Sequence, residues 1–241
     1  MDILHNLKQY FAFTKKEARD AAVTALVLGF IFSFTEWGAV TFDMGAGLYS
    51  WFNAFLVCLL AVLVHIVAQK AYAVCKGYQV NYKVFAIGLA VCVLAVLYSN
   101  GAITLAVPGA IAISQIQHFG VGRRFAGKYR RHEAYISFLG PFANIMLALL
   151  FQGIFNLGVS NLLVQKAISV NVWMAAVSIL PIPGLPGFSI FYHSRVWGMF
   201  SAIFIVAMAI FLVWFSFWQT VMTALILGIL FSVVYFIKFE L

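Results

Sequence analysis

Beyond residue 20 the chain is a succession of apolar runs, most of them about as long as a bilayer is thick, parted only by short polar breaks. A helix needs roughly 20 predominantly apolar residues to cross a hydrocarbon core about 30 Å thick. Within that core every backbone N–H and C=O must be satisfied by the protein itself. Few folds meet both demands. Composition agrees, with 64% of the 241 residues hydrophobic and 9% charged, against roughly 45–50% and about 25% in soluble domains. The expectation is an all-α integral membrane protein, a polytopic bundle of six to seven transmembrane helices with one broken or re-entrant segment. Residues 1–19 read as a cytoplasmic N-terminal segment and residues 20–241 as a single transmembrane domain. No cleavable signal is evident, because Met1–Arg19 is polar and charged.

The expected spans fall at about Asp20–Trp37, Leu48–Gln69, Val84–Tyr98, Ala134–Phe155, Leu163–Leu180, Val196–Phe215 and Trp218–Ile237. The stretch Ala102–Ser114 is shorter and is interrupted by Pro108-Gly109, so it either crosses as a broken span or re-enters. The net charge of +8 sits between spans, at Lys70, Lys76 and Lys83 and in the cluster Arg123, Arg124, Lys128, Arg130 and Arg131. This is the placement of the positive-inside rule rather than a nucleic-acid footprint. Crossing by Ala102–Ser114 puts every basic cluster on one side, and the charge pattern favours it. Cys58, Cys75 and Cys92 are odd in number and lack pair spacing, which supports neither a disulfide framework nor a cysteine-based zinc site.

Three places differ from generic lipid-facing helix. His65, in Val64-His65-Ile66-Val67-Ala68-Gln69-Lys70, is an ionisable residue near the end of an apolar span, where such groups usually face a bundle interior. Leu139-Gly140-Pro141-Phe142-Ala143-Asn144 sets a Gly-Pro step and an amide inside a span. Ser178-Ile179-Leu180-Pro181-Ile182-Pro183-Gly184-Leu185-Pro186-Gly187 is a proline ladder that must open a helix.

In this order and spacing, over roughly residues 50–192, the three resemble the core of the site-2 protease family of intramembrane zinc metalloproteases. That family carries H-E-x-x-H, G-P-x-x-N and N-x-x-P-x-P-x-L-D-G on successive core helices. Pro108-Gly109-Ala110 is similar to an element of its archaeal branch. The resemblance implies a multi-pass protein of the cell membrane with a groove shaped by Gly140, Pro141, Asn144, Asn171, Pro181, Pro183 and Gly187.

The departures fall on the chemistry. In H-E-x-x-H two His one turn apart hold zinc and the Glu is the general base. Here the first His is kept as His65, while the Glu position is Ile66 and the second His position is Gln69. The third ligand, the Asp of L-D-G, corresponds to Pro186, and the motif's opening Asn to Ser178. His65 is the one surviving ligand position, so no catalytic residue, no metal and no cofactor are expected. A makeshift zinc site of His65, Cys58 and His193 would be needed for the alternative, an active intramembrane metalloprotease. The expected hydrogen-bond partner of His65 is Gln69, one turn on. A transporter or channel is a further alternative, since broken helices can mark a midplane substrate site, but no internal repeat is found. The favoured expectation is a catalytically inactive relative that binds or scaffolds transmembrane segments of other proteins. Its partners would be the lipid bilayer and such segments, and not nucleic acid.

Overall fold

The computed structural model describes residues 10–38, 42–116, 126–159, 161–212 and 217–239. Arg123 and Arg124 of the basic cluster, with residues 1–9 of the expected N-terminal segment, lie outside them.

The first helix, α1 (Lys15–Ser33), begins five residues earlier than the expected span, because Thr14 and Glu17 form a capping box. Glu17 also belongs to the interior: its Oε2 accepts from Lys70 Nζ at 2.9 Å and its Oε1 from the Tyr82 backbone N–H at 3.1 Å. A short 3₁₀ turn, Phe34–Glu36, closes α1. Asp43 caps α2 (Met44–Cys75) by accepting from Gly45 N at 2.9 Å and Ala46 N at 3.1 Å. With 32 residues, α2 is about 48 Å long at 1.5 Å per residue, so it overreaches a bilayer core. The two helices lie against each other through Ala21, Ala25 and Leu28 on one side and Cys58, Ala61 and Val62 on the other, all in one buried cluster.

After α2 comes an unexpected strand, β1 (Tyr78–Lys83), with Tyr78, Val80 and Tyr82 buried in alternation. Next are α3 (Ala86–Tyr98), an extended return, and β2 (Ala110–Gln115), which pairs antiparallel to β1 with Lys83 opposite Ala110. The pairing brings both ends of segment 84–109 together, while its tip at Gly101 packs on Phe34 and Thr35 at the far end of α1. The chain therefore goes out as a helix and comes back extended. Tyr82 fixes the return, its hydroxyl donating to Pro108 O at 2.5 Å with Thr24 Oγ1 2.9 Å away. Gly109 follows at φ +102°, and a Cβ there would lie 2.6 Å from Tyr82 Cζ.

The remaining helices are α4 (Ala126–Asn156), α5 (Leu162–Ser178), α6 (Pro186–His193), α7 (Arg195–Phe211) and α8 (Phe217–Phe239). A second buried cluster joins α4, α5, α7 and α8 through Ile145, Ala148, Ala175, Ile205, Met208 and Ala224. The start of α4 meets the end of α2 and β1 where Ile136 packs with Ala73, Tyr78 and Val80. Arg131 thus lies at the same end of the molecule as Lys76 and Lys83.

The protein is mostly helical, and among the described residues four helices are long and apolar enough to cross a membrane: Lys15–Glu36, Met44–Cys75, Arg131–Asn156 and Gln219–Lys238. The expectation of six to seven spans is corrected. The apolar helices Ala86–Tyr98, Leu162–Ser178 and Arg195–Phe211 are shorter. Ser99-Asn100-Gly101 ends the first of these, with Asn100 and Gly101 both at positive φ, and the proline ladder ends the second. The helical membrane architecture is as expected, with one small two-stranded sheet beside the helices.

Candidate polar core between two helices

On α2, His65 and Gln69 stand one turn apart and share a face. Both are buried, at 2% and 0% exposure, and their Nε2 atoms approach to 3.2 Å. The Gln69 amide can donate to an unprotonated His65 Nε2, which puts the ring proton on Nδ1. On α4, Ser137, Gly140 and Asn144 follow at the i, i+3, i+7 spacing that aligns them along one stripe. The two faces meet at Gly140, where a Cβ would lie 2.5 Å from Gln69 Nε2 and 2.6 Å from His65 Cε1. Only a residue without a side chain lets α4 come this close. Asn144 lies beside the His65 ring, and it is wholly buried.

The cluster is rich in polar atoms that lack partners of good geometry among the described residues: His65 Nδ1, Gln69 Oε1, Ser137 Oγ and both amide atoms of Asn144. Pro141 adds to it, since it has no N–H to give to the Ser137 carbonyl one turn back. None of these groups is a carboxylate or an ammonium. Ser137 had not been singled out in the sequence; its place one turn before Gly140 on the Asn144 stripe was the available signal.

The other expected site residues separate by position. Asn171 is buried on α5 with its Nδ2 donating to Ala167 O at 2.7 Å, while its Oδ1 has no partner among the described residues. Ile66 is buried in the apolar cluster that α2 shares with α1 and α5. Pro181 and Pro183 are exposed in the ladder, whereas Pro186 and Gly187 are buried. Pro186 opens α6 at its first turn, where its fixed φ suits a helix start. Gly187 sits under the Ile179 and Leu180 carbonyls and seats α6 on the end of α5.

These residues do not fit a zinc ion. A catalytic site takes three protein ligands and an open position, and His65 offers one imidazole whose Nε2 already faces an amide. Among the described residues no three of His, Cys, Asp and Glu converge as a metal would need. That includes the makeshift set of His65, Cys58 and His193. Nor is a carboxylate placed to take a proton. Glu133 is the acid on the α4 stripe, but it lies seven residues before Gly140, about 10 Å along the axis, and accepts from Ser189 Oγ at 3.1 Å. Glu17 pairs with Lys70, and Glu36 with Lys166.

An apolar cavity of about 240 Å³ opens between the out-and-back segment and the proline ladder, lined by Phe85, Val91, Leu105, Val177, Leu180 and Ile182. Leu185 and Val107 line it too, and both belong to the same buried cluster as Ile66. No protein-family model matches the chain, and no curated protein or solved structure matches it either.

Proposed function

We propose that this protein is a catalytically inactive, site-2-protease-like protein of the cell membrane that binds or scaffolds membrane segments of other proteins. The observation that carries the reading is the contact of Gly140 with His65 and Gln69. The residues of two separate motifs that would face each other around a metal meet here as an amide-rich cluster without a carboxylate. Backbone-shaping positions persist (Gly140, Pro141, Pro181, Pro183 and Gly187), while positions that would donate a lone pair or accept a proton hold Ile66, Gln69 and Pro186. General-base catalysis is worth about 10²–10⁴-fold where it operates, and among the described residues no carboxylate stands beside His65 to serve as the family's base. The apolar cavity between the out-and-back segment and the ladder is where a client segment would lie, since the exposed Leu180 and Ile182 give it an apolar edge.

The test uses the full chain purified in detergent. Bound zinc is measured by elemental analysis, and turnover is followed on a single-span reporter. The expected result is far less than one zinc per chain and no cleavage. A photo-crosslinker at Leu180 should capture the reporter, whereas one at Ile226, exposed on α8, should not. Stoichiometric zinc together with cleavage abolished by His65→Ala would overturn the proposal.

A further inference from the structure

A second apolar cavity, of about 480 Å³, lies between α7 and α8, lined by Val196, Trp197, Phe200, Ile229, Val233 and Phe236. It falls in the size range of small-molecule sites, roughly 300–1,000 Å³. One end closes on Ser194, and Ser194 also lines an adjoining polar cavity of about 420 Å³ with Tyr192, His193 and Arg195. The two cavities together offer an apolar trough leading into a cationic, hydrogen-bonding mouth.

The mouth lies at the basic end of the molecule. Trp197 packs edge-on against Tyr135 at 5.7 Å and Phe138 at 5.6 Å, next to Arg131 on α4. Lys238 stands in the last turn of α8, two residues beyond Phe236 of the trough. Arg195 is exposed and forms no ion pair among the described residues. An occupant of the trough therefore meets the Arg195 cation at one end and mostly apolar side chains, with Ser232 among them, along the rest.

We infer that this is a binding site for an anionic phospholipid, with an acyl chain in the α7–α8 trough and its phosphate at Arg195. A transmembrane helix of another protein would complement the apolar length but not the cationic mouth. A free phosphate would complement the mouth but not the trough. The charge at one end and the apolar length behind it select a lipid.

The full chain in detergent is titrated with phosphatidylglycerol and phosphatidylcholine of matched acyl chains, and bound lipid is counted by native mass spectrometry. Phosphatidylglycerol is expected to bind about fivefold more tightly, the worth of one Arg near a membrane surface. Arg195→Gln should erase the preference while leaving the weaker phosphatidylcholine binding in place. Val233→Trp, which fills the trough, should reduce both lipids. Where that variant melts early, Ile229→Phe makes the same test with a smaller change. Equal binding of the two lipids, a preference that survives Arg195→Gln, or displacement of the lipid by glycerol phosphate would each overturn the assignment.

Discussion

At the scale of single residues, Gly140 shows most directly how the interior is specified. Its hydrogen leaves room for the His65 ring and the Gln69 amide, both buried and facing each other. Gly140→Ala forces those side chains to move within a packed interior, and overpacking of this kind costs about 1–3 kcal/mol. In a His65→Ala background the same change should lose most of its cost, and thermal unfolding of the four chains closes the cycle. Additive effects would mean that the two residues do not touch. Tyr82 gives a second prediction. Burial pushes its phenol well above the ordinary range, with the Thr24 hydroxyl pulling less strongly the other way. The folded state then holds the proton more tightly than the unfolded chain. The resulting contribution is whole below about pH 10 and falls as pH rises past it. Tyr82→Phe should lower stability at neutral pH by about 1 kcal/mol, the net value of one hydrogen bond, and should make the alkaline decline shallower. An unchanged alkaline limb in the variant would place the phenol in water. The sequence marked His65 and Asn144 as interior because ionisable and amide groups are expensive in lipid. It gave no sign of the role of Tyr82, because a tyrosine before a basic residue reads equally well as an interfacial anchor.

At the scale of elements, the apolar runs located the helices well, since hydrophobic length is set by the bilayer and needs no tertiary partner. Ends were harder. The start of α1 was placed at Asp20 rather than Lys15 because Glu17 counts as polar, although in the fold it is 3% exposed. Its charge is met by Lys70 on α2, 53 positions away, and by the Tyr82 N–H on β1, and no local pattern carries such a pairing. Lys70 also donates to Ala12 O at 3.3 Å and sits 4.7 Å from the centre of the Phe13 ring. One ion pair thus ties α1, α2 and β1 at the basic end. Lys70→Met should cost about 3–5 kcal/mol, because it strands a buried carboxylate. Adding Glu17→Gln should recover much of that loss, as equilibrium unfolding in mild detergent would read. A double variant no more stable than Lys70→Met would show the carboxylate to be solvated. β1 was legible after the fact: Tyr78, Val80 and Tyr82 alternate with polar residues, but six residues between two lysine-flanked helices read as a loop. The strand acquires meaning only through its partner, β2, 32 residues on in the register Tyr82 to Ile111 and Lys83 to Ala110.

At the scale of the whole molecule, segment 84–109 decides how the chain is threaded. In the sequence only the charge pattern favours crossing by Ala102–Ser114 over re-entry, because a broken apolar stretch supports either path and the choice lies in where its ends are held. Antiparallel pairing of Lys83 with Ala110 holds them together at the basic end, while Gly101 packs on Thr35 at the other. The helical limb and the extended limb therefore cancel in direction, and α4 starts on the side where α2 stopped. This keeps Lys76, Lys83 and Arg131 together, as the positive-inside rule requires, with four long helices rather than the longer series the hydropathy suggests. The extended limb is tolerable at this depth because it is covered: Ala106 is wholly buried and Val107 nearly so. Threading of this kind can be read in sealed vesicles. In a background with Cys58, Cys75 and Cys92 replaced by serine, single cysteines at Lys83, Asn100 and Arg131 are exposed to a membrane-impermeant maleimide. Lys83→Cys and Arg131→Cys should react from the same side, and Asn100→Cys from the opposite one. Reaction of all three from one side would mean that the tip of the segment never reaches the far end of α1. Reaction of Lys83→Cys and Arg131→Cys from opposite sides would invert α4 and every helix after it.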